Sequence, residues 1–466
     1  MPSNATRTTE KLASFAATLI WDRVPADVRE QAARQVLDGF AAMHAGSKRP
    51  WTNAARAFAV SEGASGRSSV IGTDVKLRPA HAAFVNATAM HGFELDDYHV
   101  SAAVHAGCAV VPTVLALADD LGVGSHAALT AIAVGTETII RFGLAMSPEM
   151  TQDRGFHVTS AFGALGAAAA AVNLLGLDRQ TAQHALGVAA AQAGGTTEFT
   201  RSGGEIKRVH AGFAASNGIR SVDLARLGLT APLESIEGER GFAQAFGGRR
   251  VHLPHLTNEL GGKWHLAGLG IKSWSTCTGN HAPIAALELL RHEGLKAADV
   301  DSITVYTDRT TAEHCGHVGA QVKDMTGAQF SLHLSLAMRL VLGGNDPEHY
   351  AAMEAANFGI PEVIHLANKV NIEIGEEEDK AFAVTPSARI VVRRVRGATM
   401  TSKALAPGGP TRPFTWDELG QKVHACADSL IGADSVRGTV QFVRSWPTTD
   451  LPASGLLSGA VRAAHE

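Results

Sequence analysis

The sequence predicts a mainly α protein, a large all-helical domain with a smaller α+β domain inserted as a lid. Three observations predict it. Through about the first 265 residues, apolar side chains recur at three- and four-residue spacing. Beyond about Leu266, the pattern changes to short alternating segments separated by helical runs. A Gly- and Pro-rich stretch, Ala406 to Pro413, then leads into another helical pattern. The expected boundaries are 1–265 for the first part of the helical domain, 266–404 for the lid and 405–466 for a C-terminal return.

In the first part, Lys11 to Ile20, Val28 to Met43, Ala127 to Met146, Arg179 to Ala193 and Gly212 to Leu227 carry the helical period. Gly176 and Gly228 follow such runs as stop signals. Ser69-Val-Ile-Gly is a candidate short strand. Ser160 to Leu177 is mostly Ala and Gly, which predicts a helix packed closely on other helices rather than a membrane span. Glycines inside helical patterns, such as Gly163 and Gly166, cost about 1 kcal/mol each relative to Ala. Close contact with another helix or a ligand would offset that.

In the second part, Ser302 to Thr307, Val370 to Ile374 and Arg389 to Val395 alternate as strands. His281 to His292 and Phe330 to Leu342 read as helices between them, and Trp416 to Ile431 as a helix after the Pro-rich stretch. No repeat of 20–50 residues is visible.

Composition narrows the function. With 466 residues, 45% hydrophobic and 18% charged, the chain is not a disordered one. Lys plus Arg is 41 against 45 for Asp plus Glu, a net charge of -4, so no basic excess points to nucleic acid. Four cysteines without a CxxC pair predict a reducing, cytoplasmic setting. The N-terminus lacks the order of a secretory signal, and no membrane association is expected.

Five segments carry candidate chemistry. His91 to His105 holds three carboxylates, three imidazoles and a phenol, enough for both a proton acceptor and a donor. The plain alternative is a solvated loop with Asp97 or Ser101 capping a helix. A third reading is a metal site from Asp96, His99 and His105, although the spacing matches no standard zinc pattern. His157, with Thr159 and Ser160, opens the small-residue helix, as a carboxylate site or as an ordinary cap. Lys207, Arg208 and His210 open another. Cations there oppose the helix dipole, which points to a bound anion or to a solvated basic turn. Lys272, Cys277 and His281 lie near the expected domain boundary, where ligand clefts form. Cys277 is a nucleophile or a packing residue. Glu313-His-Cys-Gly-His is a metal-capable tract or a polar loop. No GxGxxG follows a strand, and GxxxxGK[ST], GxSxG and HExxH are absent, against dinucleotide enzymes, P-loop NTPases, α/β-hydrolases and zincins.

In their order, these segments resemble the MmgE/PrpD family. The residues that carry the resemblance are His91 to Asp119 (HGFELDDYH…HAGCAVVPTVLALAD), Gly155 to Asp178 (GFHVTSAFGALGAAAAAVNLLGLD) and Lys207 to Gly218 (KRVHAGFAASNG). Lys272 to Pro283 (KSWSTCTGNHAP) and Ala328 to Gly344 (AQFSLHLSLAMRLVLGG) continue it. The family includes 2-methylcitrate dehydratase, cis-aconitate decarboxylase and iminodisuccinate epimerase. The spelling ELDDYH with a histidine six residues on looks most like its fungal-type cis-aconitate decarboxylases.

The resemblance implies a helical domain with an inserted α+β lid, a homodimer, and a lyase acting on a small di- or tricarboxylic acid without metal or organic cofactor. It implies that His105, His157, Lys207, Tyr98 and Glu94 carry the chemistry. Lys272, Arg208, Cys277, His281 and Asp97 would bind the substrate. Many members have Asp in place of Glu94 and Thr in place of Tyr98, and mammalian decarboxylases have a histidine in place of Cys277. The chemistry is intelligible on its own terms. Breaking a bond next to a carboxylate leaves negative charge on carbon, which fixed cations such as Lys207 and Lys272 stabilise. A histidine moves the proton and a carboxylate orients it. One such pocket serves decarboxylation, dehydration or epimerisation. The rival classes are an inactive carboxylate-binding protein and a metal-dependent hydratase.

Overall fold

A computed structural model describes residues 7–147, 149–248, 250–382 and 386–459. Helix makes up 59% of it and strand 9%, so the chain is mainly α with a smaller α+β domain. The first part contains α1 (Thr8–Thr18), α2 (Ala26–Gly46), α3 (Pro50–Ser61), a two-stranded ribbon of β1 (Ser65–Ser69) and β2 (Lys76–Leu77), and α4 (Pro79–Gly92). It continues with α5 (Gly107–Leu121), α6 (Ser125–Met146), α7 (Val158–Leu174), α8 (Arg179–Ala191) and α9 (Ile206–Arg226). The strand expected at Ser69-Val-Ile-Gly lies earlier, ending at Ser69. Val70 and Ile71 follow it into the core.

Small residues let these helices touch backbone to backbone. A Cβ on Gly166 of α7 would stand 2.3 Å from Ile139 and 2.7 Å from the Gly135 carbonyl, both on α6. That contact offsets the helix penalty of the glycine. By length and composition α6 is apolar enough to cross a bilayer, and it lies packed between α5 and α7.

The α+β part begins with α10 (His281–His292) and β3 (Val300–Thr307). It continues with α11 (Met325–Phe330), α12 (Leu332–Val341), α13 (Pro347–Ala355), α14 (Pro361–Ala367), β4 (Val370–Ile374), β5 (Ser387–Arg394) and β6 (Met400–Leu405). The sheet order is β4-β3-β5-β6. β4 runs parallel to β3 through the α11–α14 crossover, and β5 and β6 add as antiparallel neighbours. Alternation along β3 buries Val300, Ile303 and Val305, as a half-buried strand requires. The helix expected over Phe330 to Leu342 is α12, Leu332–Val341, set off from the preceding α11. Ser331 separates the two, and its hydroxyl caps α12 by accepting from the Leu334 N–H at 3.1 Å.

α15 (Trp416–Ile431) and α16 (Ala433–Ser445) are the last helices of the described residues. Thr415 and Glu418 form a capping box at the start of α15. Leu419, Val423, Val436 and Val443 of these helices belong to the same core as α1–α9, and α15 packs on α2. A second core fills the α+β part. Trp51 and Phe93 reach into it from the helical part and so tie the two together.

Candidate active site

The site is organised by the turn that ends α4. Past Gly92, Glu94 takes a left-handed φ of 56°, a conformation uncommon for a side chain of its kind. Neighbouring side chains hold the turn. The buried Arg208 guanidinium donates to the Gly92 carbonyl and to Thr326 Oγ1 at 2.9 Å, and lies 4.0 Å over the Trp51 ring. Gln329 Nε2 donates to the Phe93 carbonyl at 2.9 Å. Together they satisfy carbonyls that the helix end leaves open. The structure therefore places Arg208, expected to bind substrate, in the support of Glu94.

Glu94 is buried between two lysines. Its Oε1 lies against Lys207 Nζ, and its Oε2 accepts from Lys272 Nζ at 3.2 Å. Lys272 also faces Asp96 Oδ1 at 3.7 Å. Two ammonium groups thus meet two carboxylates, with all four residues buried. Burial, then the Lys272 and Arg208 charges, push the Lys207 pKa well below the ordinary lysine value, with Cys277 opposing. Lys207 reaches this point from the second residue of α9, and Lys272 from the 269–277 loop. That loop is joined to the Glu94 turn by paired backbone hydrogen bonds between Tyr98 and Gly270 of 2.9 and 2.8 Å.

Four imidazoles run alongside. His91 Nδ1 donates to Asp96 Oδ2 at 2.7 Å. Its ring lies 5.4 Å from that of His105 and 5.6 Å from that of His157. His157 Nδ1 lies 2.9 Å from His210 Nδ1. His105 donates from Nδ1 to the Asp97 carbonyl at 2.6 Å, so in the neutral ring Nε2 carries the lone pair. Burial holds His105 down at about 3 and, with the neighbouring His91 next, drives His157 well below the ordinary imidazole value.

A cavity of about 370 Å³ opens between the 98–105 segment and the α+β part. Tyr98, His105 and Cys277 line it, facing Thr311, His314 and Cys315. Burial keeps the Tyr98 phenol protonated, with a pKa pushed up to about 12. The Cys315 thiol first, then the Gly279 amide and the Lys272 and Lys207 charges, hold Cys277 down at about 6, against burial. Lys207, Lys272 and Glu94 are not among the lining residues of this cavity.

Other expected site residues lie further off. Asp97 turns away from the cavity. Its carboxylate accepts from Gln35 Nε2 at 2.6 Å and from the Gly107 N–H at 3.0 Å. It supports the start of α5, and neither it nor Ser101 caps a helix in its own segment. A Cβ on Gly107 would stand 2.3 Å from Asp97 Oδ2, so this contact requires glycine. His281 is fully buried at the start of α10 beside the Trp274 ring, 5.3 Å away. His157 occupies the N-cap position of α7 without a side-chain capping hydrogen bond, and its ring lies 5.6 Å from that of His91. His99 does not join Asp96 and His105 as a ligand set. Its Nδ1 accepts from the Ala102 N–H at 3.2 Å and its Nε2 lies against Gly268. Among the described residues, the grouping with metal-ligand spacing is His91, Asp96 and Cys108. His91 and Asp96 are already hydrogen-bonded to each other there.

The sequence named His210 only beside Lys207 and Arg208 at a helix start, without a place among the catalytic or binding residues, and it gave no role to Gln329. His210 follows Lys207 by one helical turn, and its ring belongs to the imidazole row. Gln329 carries no comparable mark.

The MmgE/PrpD N-terminal domain matches residues 10–253, and the MmgE/PrpD C-terminal domain matches residues 274–448. A cis-aconitate decarboxylase from Aspergillus terreus is 31% identical, over 94% of this chain and 92% of its own. A cis-aconitate decarboxylase-like protein, oryM, from Aspergillus oryzae is 30% identical over 95% of each chain. The human cis-aconitate decarboxylase is 27% identical over 80% of this chain and 77% of its own.

Proposed function

This chain belongs to the MmgE/PrpD family and is a lyase, and from that premise we propose that it decarboxylates cis-aconitate or a closely similar tricarboxylate. The observation that carries the reading is the Lys207–Glu94–Lys272 bridge beside a cavity that His105 lines. Named relatives of similar length that cover most of the chain support it.

The reaction asks for little more than charge and one proton. The carboxylate on the methylene carbon of cis-aconitate leaves as CO2. Its bonding pair forms a new C=C, and the old double bond shifts its electrons to the far carbon, where they delocalise into the adjoining carboxylate. Protonation of that carbon gives methylenesuccinate. Lys207 and Lys272 stabilise the developing charge, the larger share of catalysis in such sites. Glu94 holds the two ammonium groups together until substrate arrives. His105 delivers the proton. Burial keeps the ring neutral in the empty site, and a bound polyanion favours its protonated form. Tyr98, protonated at neutral pH, donates a hydrogen bond to a substrate carboxylate.

One observation favours a second reading. A neutral His105 with a free Nε2 is a base as it stands, which suits proton abstraction in a 2-methylcitrate-type dehydration or an iminodisuccinate-type epimerisation. We further propose a homodimer that acts without metal. The test is turnover of cis-aconitate, 2-methylcitrate and iminodisuccinate by the purified protein, with products identified by NMR. Release of CO2 from cis-aconitate alone supports the first reading, and water loss from 2-methylcitrate the second. Binding of the carboxylates without turnover would make the chain an inactive carboxylate-binding protein.

A further inference from the structure

The far C-terminal helix α15 sends one buried lysine beneath the site. Lys422 Nζ contacts Asp38 Oδ1 of α2 and donates to the Leu95 carbonyl at 2.7 Å and to the Lys272 carbonyl at 2.8 Å. An ammonium group has three N–H bonds, and all three are used. Its two carbonyl partners are not arbitrary. Leu95 lies between Glu94 and Asp96, the two carboxylates of the site, and Lys272 is the ammonium group that faces both.

We propose that Lys422 is a positioning residue, a buried tripod that fixes the Glu94–Asp96 segment and the Lys272 segment at the separation the lyase site requires. The 94–96 turn carries a left-handed residue, and the 269–277 loop is not part of a long element. Neither segment is held by a helix or sheet of its own. The paired Tyr98–Gly270 hydrogen bonds join them on one side, and Lys422 joins them on the other while anchoring both to α2. Chain from three distant parts of the sequence thus converges on one nitrogen. Asp38 is the counter-charge that lets an ammonium group sit there, since an unpaired buried charge is strongly destabilising.

The proposal rests on the lyase reading for its kinetics, but not for its geometry. Lys422→Met alone strands the Asp38 carboxylate and tests little beyond folding. Asp38→Leu/Lys422→Met removes both charges, and such paired replacements are often tolerated. We expect the double variant to regain most of the melting temperature lost by Lys422→Met. Its kcat on cis-aconitate should nonetheless fall at least tenfold, with a smaller change in KM. Its crystal structure should show Lys272 Nζ moved out of hydrogen-bond range of Glu94. A double variant with wild-type kcat and an unmoved Lys272–Glu94 pair would overturn the proposal and leave Lys422 as a fold-stabilising ion pair. If the wild-type protein does not turn over cis-aconitate, the substrate reading fails and the crystal structure alone decides. A displaced pair supports the tripod, and an undisturbed one overturns it.

Discussion

His105 donates its Nδ1–H to the backbone carbonyl of Asp97 at 2.6 Å. That one bond fixes the neutral tautomer and leaves Nε2 as the working nitrogen of a residue on the cavity wall. His157 is not on that wall; its ring lies 5.6 Å from that of His91, which lies 5.4 Å from that of His105. His105→Gln should therefore lower kcat by about 10²–10⁴, the usual range for a lost acid or base. His157→Asn should cost less. Steady-state kinetics of the two variants, with circular dichroism to show folding, checks the ordering. An equal or larger loss at His157 would reverse the assignment.

Lys207→Ala should lower the rate by about 10²–10³, the loss typical of one charge-assisted contact to a developing anion. Glu94→Gln should act on stability first, because it leaves Lys207 and Lys272 buried without their shared carboxylate. Breaking a buried pair costs about 3–5 kcal/mol. Combining Glu94→Gln with Lys207→Met should restore part of the melting temperature and none of the turnover. Denaturant melts and kinetics on the three variants separate the two effects.

Gly107→Ala should destabilise by about 1–3 kcal/mol, because its Cβ would meet the Asp97 carboxylate. The same push moves the Asp97 carbonyl that holds His105, so activity should fall as well. Thermal denaturation and kcat on one sample measure both. Unchanged values would show that the turn has room to relax.

Stability should fall in acid. Burial holds His105 and His281 down at about 3 and His99 at about 4, each below the ordinary 6.5. A base whose folded pKa is depressed contributes stability that is present above 6.5 and lost as pH falls toward those values. Asp97 works the other way. Burial raises it to about 7, so its contribution is lost as pH rises from about 4 toward 7. Burial raises Asp38, Glu137, Asp308 and Asp346 as well, but the histidines lowered by burial outnumber these carboxyls, and the melting temperature should be lower at pH 4.5 than at pH 7.5. An equal or higher value at pH 4.5 would mean that these rings are not neutral in the folded protein.

Much of this arrangement was legible in the sequence, and the rest was not for physical reasons. Helical period located α2, α6, α8 and α15 closely: α8 and α15 each bury one face, and α6, buried almost all round, shows as a long apolar run. β6 was missed. Its sequence, Met400-Thr-Ser-Lys-Ala-Leu405, has no β-branched run, and it becomes a strand only by pairing with β5. Glu94, Lys207 and Lys272 were each visible as candidates, but not that Glu94 neutralises both lysines. Only the left-handed turn after α4 puts it between them. Arg208 stood beside Lys207 in the sequence and was given the same role. On a helix, adjacent residues point in different directions, and Arg208 points at the Gly92 carbonyl. Lys422 left a mark that can be read in retrospect. It sits on the same face as Leu419, Val423 and Cys426, where a surface lysine does not belong.

In the proposed reaction, two lysines bridged by Glu94 stabilise a carbanion that is then protonated from the cavity side. Incubating the protein with cis-aconitate in D2O and following it by NMR tests this most directly. CO2 release and methylenesuccinate carrying one deuterium on its saturated carbon are expected, with the same rate after treatment with a chelator. Recovery of cis-aconitate unchanged, while 2-methylcitrate loses water under the same conditions, would contradict it.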